Sequence, residues 1–565
     1  MSIEIVGTDY NELKDCINKP DEHFYRVYVK PEVLNFTEKF ENEIEDVSFE
    51  GGRLIGIFDF DADGITSALE AKFMWPEIEV HIPDRYEDGY GIPENLDFLR
   101  QGDVVLLGDI GSNDIEGINK IRNITGKLPF IVDHHELPIK DTVPDEVYNL
   151  MQTYPKMLNF YRNPGEHIPG YCTAGLFYQI AKAKYEAEEI DKDTFSVCSM
   201  LNAFGSIADE TLMNSKWDTT RKDVLEGFAA IENVSLENIA PAFGYFLSRT
   251  GLYDEAYMHT SAAQFKVNPV LNAPGRLGTI KNWHVPGGQF LFDTLSAKNV
   301  PFEKIKSRVD ECIEINNRRK ELEAEAVADM RYTSAVQHTL MTGKKLAIVY
   351  MPDLNPGICG RIAQKLVEET GVPSIAMCGS KNDLRGSARN APGYPDMLEM
   401  CGKILIGNGL ACGGHADAFG FVGTYDSMVK ATNGLYYAYR NINPKTDLTI
   451  RAITDMKDLS VKKLLALEPH GRDYPMPCVA VTDTVTTVKD YAKDYGEIRL
   501  KSNKEIKFFG QKLNVMKNDV VQIIGNADIS TFMNKTKVQI NVKTLELAEK
   551  EKKTDKEYDD FEIEK

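Results

Sequence analysis

Nothing in this chain spells a disulfide framework or a zinc ribbon. Its nine cysteines (Cys16, Cys172, Cys198, Cys312, Cys359, Cys378, Cys401, Cys412 and Cys478) are odd in number and scattered, without one C-x-x-C pair. No uninterrupted apolar stretch approaches the ~18 residues of a spanning helix, and the first residues (Glu4, Asp9, Glu12, Asp15) lack the basic-then-apolar layout of a signal peptide. These absences predict a soluble protein of a reducing cytoplasm with no membrane partner. Positive charge is short as well: 65 basic against 86 acidic residues leave −21, which argues against coating nucleic acid by bulk electrostatics. Any polyanion must meet a local basic surface or bound cations. What is present, 565 residues of which 42% are hydrophobic and 27% charged, suffices for several globular domains.

Three early segments share one layout, an apolar run ending in an acid: Leu54–Phe58 then Asp59, Val104–Gly108 then Asp109, and Phe130–Val132 then Asp133. Continuous apolar runs suit strands buried on both faces, and the stretches between them are long enough for crossover helices, such as one beginning near Ile65. The expected class is therefore α/β with a parallel sheet, and ligands of such sheets bind beyond the carboxyl ends of the strands, where the three acids fall.

Residues 301–333 lack Gly and Pro after Pro301 and read as a long helix, either joining two lobes or lying within one domain. A second, smaller α/β unit follows, with a strand at Leu346–Tyr350 and a helix at Gly360–Glu369. Beyond Asp447 short strands are expected at Val479–Val488, Ile498–Leu500, Ile506–Phe509, Val520–Ile524 and Val538–Val542, a pattern for a small barrel. Residues 549–565, with five lysines and eight acids, read as a disordered tail, and no fixed-period repeat is present.

Asp59-Phe60-Asp61-Ala62-Asp63-Gly64 sets three carboxylates at alternate positions where a strand gives way to a turn, a donor set for Mn²⁺ or Mg²⁺. The same spacing opens a calcium loop, and Glu70 even stands twelfth from Asp59, but such loops follow a helix and this one continues an apolar run. Asp133-His134-His135 adds an acid and two imidazoles at the same predicted edge, so a binuclear centre with Asp61, Asp63 and Asp109 is the better reading. Asp209 either contributes a further ligand or ends a helix.

These segments resemble the ordered motifs of the DHH phosphoesterases. Further matches point to their RecJ-type branch: Pro83-Asp84-Arg85 with Gly89-Tyr90-Gly91, Asn272-Ala273-Pro274-Gly275-Arg276-Leu277, Arg385-Gly386-Ser387-Ala388-Arg389, Gly413-Gly414-His415 and Leu467-Glu468-Pro469-His470-Gly471. The resemblance runs from about residue 50 to 545. It departs at Asn355 and His470, where the family has histidine and phenylalanine, and at Asn390, which ends R-G-S-A-R-S.

The resemblance implies an N-terminal extension (1–50), a DHH domain (51–297), a connecting helix (298–337), a DHH-associated domain (338–446), an OB-fold (447–546) and an acidic tail (547–565). It implies two divalent cations, Mn²⁺ or Mg²⁺, held by Asp61, Asp63, Asp109, His134 and Asp209, with Asp133 bridging or behind them and Asp59 supporting. His135 would contact the scissile phosphate. Arg276, Ser387 and Arg389 would hold a terminal 5′-phosphate, helped by Arg85 and Arg385, and His415 would touch a nucleotide. The implied activity is 5′-to-3′ hydrolysis of single-stranded DNA to mononucleotides in recombination or repair, by a monomer that works beside a single-strand-binding protein or a helicase.

Residues 498–543 hold nine basic and three acidic residues. Lys501, Lys504, Lys507, Lys535 and Lys537, interleaved with Phe508 and Phe532, suit single-strand binding, although the Phe residues also suit a barrel core. Two alternatives stay open: a phosphodiesterase of short oligoribonucleotides or cyclic dinucleotides, and a non-catalytic DNA-binding scaffold of replication.

Overall fold

The computed structural model describes residues 3–89, 91–138, 143–162, 167–280, 284–298, 300–444, 448–454, 459–492, 495–502, 505–509, 515–532 and 535–549. Tyr90, Lys504 and the tail from residue 550 lie outside them, as do the side chains of His415, Lys507, Phe508 and Phe532. Among the described residues no helix is long and apolar enough to cross a membrane. The chain forms two compact units: residues 18–448 with 471–474 (and 1–2), and residues 3–17, 449–470 and 475–565.

The first unit is built on a five-stranded parallel sheet ordered Glu79–His81, Leu54–Phe58, Val104–Gly108, Phe130–Val132, Met157–Leu158. All five residues of Leu54–Phe58 and of Val104–Gly108 are buried, as continuous apolar runs require. One face carries Ile55, Ile57, Val105, Leu107 and Ile131 into a cluster with Ile92, Leu96, Ile118 and Ile121. Full burial of each such side chain stabilises by roughly 1.5–3 kcal/mol. In chain sequence the strand order is 2-1-3-4-5, so the direction of winding reverses between Leu54–Phe58 and Val104–Gly108. That reversal opens a crevice at their carboxyl ends, where Asp59 and Asp109 emerge.

The long helical stretch is not continuous. A helix Phe302–Ala328 stops at Asp329, whose backbone is extended (φ −65°, ψ 138°), and Met330–Thr342 starts anew with the Asp329 carboxylate accepting the Arg331 N–H at 2.7 Å. Aspartate competes for its own backbone in this way, which breaks a helix without Gly or Pro. The same unit holds a second sheet ordered Ala411–His415, Ala418–Gly423, Leu384–Arg389, Ser374–Gly379, Ala347–Tyr350, in which only the last pair is parallel. The helix Cys359–Thr370 joins its two parallel strands.

The second unit holds a seven-stranded sheet, with strands longer than the apolar runs alone mark: Cys478–Ala492, Tyr495–Leu500, Glu505–Phe509, Val520–Phe532 and Lys535–Glu549. Their pairings run in that order from the first to the third, then to Lys535–Glu549, to Val520–Phe532 and back to Cys478–Ala492. Polar alternation extends these strands past their apolar centres. The core is aliphatic, around Val485, Ile498, Ile506, Val521, Ile523 and Ile540. Ile3–Thr8 lies beside Leu448–Ile453 at the edge, so the start of the chain belongs to this sheet.

Candidate metal centre

Each carboxylate of the candidate centre sits where an apolar strand or helix ends. Asp59 follows Leu54–Phe58, and Asp61 caps the helix Ala62–Met74 by accepting the N–H groups of Asp63 and Gly64 at 2.9 and 3.2 Å. Gly64 has no alternative here, because a Cβ would lie 2.4 Å from the Asp59 carbonyl oxygen. Asp109 takes a left-handed backbone (φ 62°), a conformation that aspartate tolerates better than most residues and that turns its side chain at the strand end. Asp209 ends the helix Lys192–Ala208, so it is both a helix-terminal acid and part of the cluster.

These elements bring the groups together. His134 Nε2 stands 3.4 Å from Asp109 Oδ1 and 3.8 Å from Asp63 Oδ2, while its Nδ1 is 3.8 Å from Asp209 Oδ2. Among the described residues, three sets can offer ligand atoms lying within 4.8 Å of one another: Asp109, His134 and His135; Asp63, His134 and Asp209; Asp59, Asp61 and Asp109. Asp109 and His134 each serve two sets, an arrangement suited to two neighbouring cations. Asp133 is in none of them. Its Oδ2 accepts the Ser112 N–H at 3.0 Å, and its Oδ1 meets His135 Nδ1 at 2.7 Å.

The electrostatics fit a cation. Burial, with Asp61 nearby, pushes Asp59 up to about 8, and burial with Asp63 nearby pushes Asp109 well above the carboxylate range. Asp209 is pushed up to about 7 by burial against the pull of His134. Asp63 is raised by burial too, and Asp59 Oδ1 is buried with no hydrogen-bond partner among the described residues. Crowded oxygen donors whose ionised forms burial and one another's charge disfavour are donors that a hard divalent ion would relieve. Burial opposes the charge of His134, but Asp209, Asp109 and Asp63 hold its pKa well above the ordinary imidazole value. His135, likewise opposed by burial, is held at about 10 by Asp133, whose own carboxyl stays low against burial because His135 faces it.

Sequence reasoning missed the groups that hold these ligands. The Thr173 and Ala174 N–H groups, at the start of the helix Thr173–Glu186, donate to the two oxygens of Asp63 at 2.9 and 2.8 Å, and the Thr173 hydroxyl donates to Asp109 at 3.0 Å. Cys172-Thr173 before an apolar helical pattern is a helix-start signal, but which partner it meets is a long-range matter.

The proposed phosphate residues lie in two places. Arg389 and Ser387 stand at the first turn of Cys359–Thr370, where a Cβ on Gly360 would be 2.6 Å from Arg389 Nη2 and 3.1 Å from Ser387 Oγ. Arg389 donates to Ser387 Oγ at 2.9 Å. Arg85 lies 5.5 Å over the Phe60 ring, next to Asp59 and Asp61, and Arg385 donates to the Tyr86 carbonyl at 3.5 Å. Tyr86 joins the two parts: its hydroxyl donates to the Arg276 carbonyl and lies 3.2 Å from Asn355 Oδ1, which also accepts the Gly357 N–H at 2.8 Å. Asn355 thus has a structural task that an amide performs well. In the other unit Lys501 and Lys535 are exposed and Lys537 is half-buried.

Two family models match the chain: the DHH family N-terminal domain over residues 54–200 and the DHHA1 domain over residues 343–435. Similar curated proteins include the single-stranded-DNA-specific exonuclease RecJ of Escherichia coli (strain K12), 27% identical over 409 residues, which make up 68% of this chain and 66% of that protein. The RecJ of Thermus thermophilus is 25% identical over 455 residues, 77% of this chain and 60% of that one. The chain therefore spans between three fifths and two thirds of the length of these relatives. Among solved structures, RecJ from Thermus thermophilus in complex with Mn²⁺ has a TM-score of 0.70 at 17% identity, covering 97% of this chain and 80% of that one. The Mg²⁺ complex of the same protein has a TM-score of 0.65 at 16% identity, covering 97% of this chain and 79% of that one.

Proposed function

From the premise that this chain is a divergent RecJ-type DHH protein, we propose that it is a metal-dependent 5′-to-3′ exonuclease of single-stranded DNA, releasing 5′-mononucleotides in recombination or repair. The observation that carries this reading is the convergence of Asp59, Asp61, Asp63, Asp109, His134 and Asp209 on one sheet edge, as overlapping ligand sets. Bound there, two divalent cations, Mn²⁺ or Mg²⁺, supply Lewis-acid activation of water and neutralisation of the phosphate charge.

The chain's own residues do the rest. Thr173 and Ala174 keep Asp63 turned to the centre, and Ser112 and Asp133 fix the ring of His135. With Nδ1 engaged by Asp133, the imidazolium of His135 presents Nε2 as the donor to a non-bridging phosphate oxygen. Arg389 and Ser387, at a helix N-terminus, form the site for the terminal 5′-phosphate, with Arg276, Arg385, Arg85 and His415 around the strand. A fixed terminal phosphate sets the distance to the hydrolytic centre, so one nucleotide leaves at a time. The circuit of five paired strands in the second unit is read as an OB-fold over 447–546, whose Lys501, Lys535 and Lys537 attract the strand.

The test is incubation with a 5′-phosphorylated, 3′-labelled single strand and Mn²⁺, beside its duplex and an RNA copy. Mononucleotides from the 5′ end of the DNA strand alone are expected. Preference for very short RNA would instead favour an oligoribonucleotide phosphodiesterase, and binding without cleavage a scaffold.

A further inference from the structure

The loop from Asp209 to Trp217 begins at a candidate metal ligand and ends in a row of rings. His167 lies face to face on Trp217, with 3.5 Å between centroids and 13° between planes. Phe24 meets the two edge-on at 6.3 and 5.3 Å, and Tyr28, 59% exposed, continues the row 5.0 Å from Phe24. Lys216 Nζ stands 4.3 Å over the Trp217 ring.

Near the start of the loop, the segment Gly471–Tyr474 is clamped onto it. A Cβ on Gly471 would lie 2.7 Å from the Thr211 carbonyl oxygen and 2.3 Å from Met213 Cγ. Asp473 accepts the backbone N–H groups of Met213 and Asn214 at 2.7 and 2.9 Å. The backbone at Arg472 is therefore held beside Thr211, which follows Asp209 by two positions in the chain. The side chain is exposed and has no carboxylate partner among the described residues. Asp473 spends its carboxylate on this clamp, and Asp21 on the N–H groups of His23 and Phe24.

An exposed cation in the segment clamped onto the start of this loop, a second cation at its end and a row of rings there, of which Tyr28 and His167 are exposed, are the groups that hold a single strand, whose phosphates need charge and whose unpaired bases need a flat surface. A duplex hides its base faces and has no use for such rings. We propose that residues 209–217, with Arg472 and the rings of Tyr28, Phe24, His167 and Trp217, form a track for the single strand beyond the scissile bond. In it Arg472 and Lys216 face phosphates, and Tyr28 and His167 stack bases. This deepens the exonuclease reading and rests on it. It also explains the stacked His167–Trp217 pair, a surface feature that neither the metal ligands nor the phosphate residues require.

Tyr28→Ala, Arg472→Ala and the double variant test it, since both side chains are exposed and melting temperatures check the fold. kcat/KM is measured with Mn²⁺ on a 5′-phosphorylated dinucleotide and on a long single strand with the same 5′ end. The ratio of long to short is expected to fall about tenfold in each single variant, the scale of one stacking or phosphate contact. An unchanged ratio overturns the track. Fluorescence anisotropy of a labelled long strand in chelator provides the second readout. If the unaltered protein cleaves neither strand, the exonuclease reading fails, and the track stands or falls on binding alone: weaker binding by the variants supports it, and equal binding overturns it.

Discussion

Asp133 Oδ1 lies 2.7 Å from His135 Nδ1 and 3.1 Å from the His135 backbone nitrogen, so one carboxylate oxygen sets both the ring and the backbone of the residue two positions on. The acid of the Asp133-His134-His135 run therefore acts on His135, and it belongs to none of the candidate ligand sets among the described residues. Asp133→Asn removes the counter-charge while keeping the shape. Hydrolysis is expected to fall about 10–100-fold, the usual cost of losing a group that orients a ligand, while calorimetry still detects Mn²⁺ binding. Full activity in this variant would take Asp133 out of the mechanism.

Asp109 belongs to two of the three candidate ligand sets found among the described residues, so its loss is expected to weaken both. Mn²⁺ at about a hundred times its Kd is expected to stabilise the protein by about 2.7 kcal/mol, seen as a rise in melting temperature that chelator reverses. In Asp109→Asn that rise should be largely lost together with cleavage. An equal rise in both proteins would mean that the ions bind elsewhere.

Glu70 is fully buried in the helix Ala62–Met74 and neither of its oxygens has a hydrogen-bond partner among the described residues. Burial, and then Asp63, push its pKa well above the ordinary 4.5. The sign follows from linkage: below pH 4.5 the carboxyl is protonated folded or unfolded, but above it the unfolded chain gains by ionising and the folded chain does not. Stability is thus lost as pH rises from the unfolded towards the folded pKa, by up to about 1.4 kcal/mol per pH unit. Glu70→Gln is expected to match the parent protein near pH 4 and to melt higher at pH 7. Identical melting curves at pH 7 would contradict a buried neutral acid.

Arg389 and Ser387 stand together at the first turn of Cys359–Thr370. A hydrogen bond to a charged group contributes about 1.5–3 kcal/mol, so Arg389→Ala should lower kcat/KM on a 5′-phosphorylated strand by roughly ten- to a hundredfold. The loss on a 5′-hydroxyl strand should be much smaller. Equal losses on both strands would argue for a structural role.

Lys535 and Lys537 stand at the start of the strand Lys535–Glu549, opposite Phe532 and Ser530 of Val520–Phe532. If both meet phosphates, their joint replacement by Ala should reduce the slope of log affinity against log salt by about 1.4. An unchanged slope would place the strand elsewhere.

Local pattern carried a large part of this protein. Leu54–Phe58, Val104–Gly108 and Phe130–Val132 declare themselves as buried parallel strands because both faces of each are apolar, and the acids that follow them must emerge at the carboxyl edge. The type and spacing of Asp61, Asp63, Asp109, His134 and Asp209 mark them as candidate ligands, because clustered carboxylates and imidazole suit divalent ions. Tertiary structure decided what no short window contains. Thr173 reaches Asp63 across 110 positions of sequence, Tyr86 meets Asn355 across 269, and Ile3–Thr8 lies beside Leu448–Ile453. Asp329 splits an otherwise unbroken helical composition, and the Gly471–Tyr474 segment clamps onto the loop after Asp209. Strand burial and carboxylate spacing are written in neighbouring residues. Which N–H group satisfies which carboxylate depends on elements brought together only when the chain closes on itself.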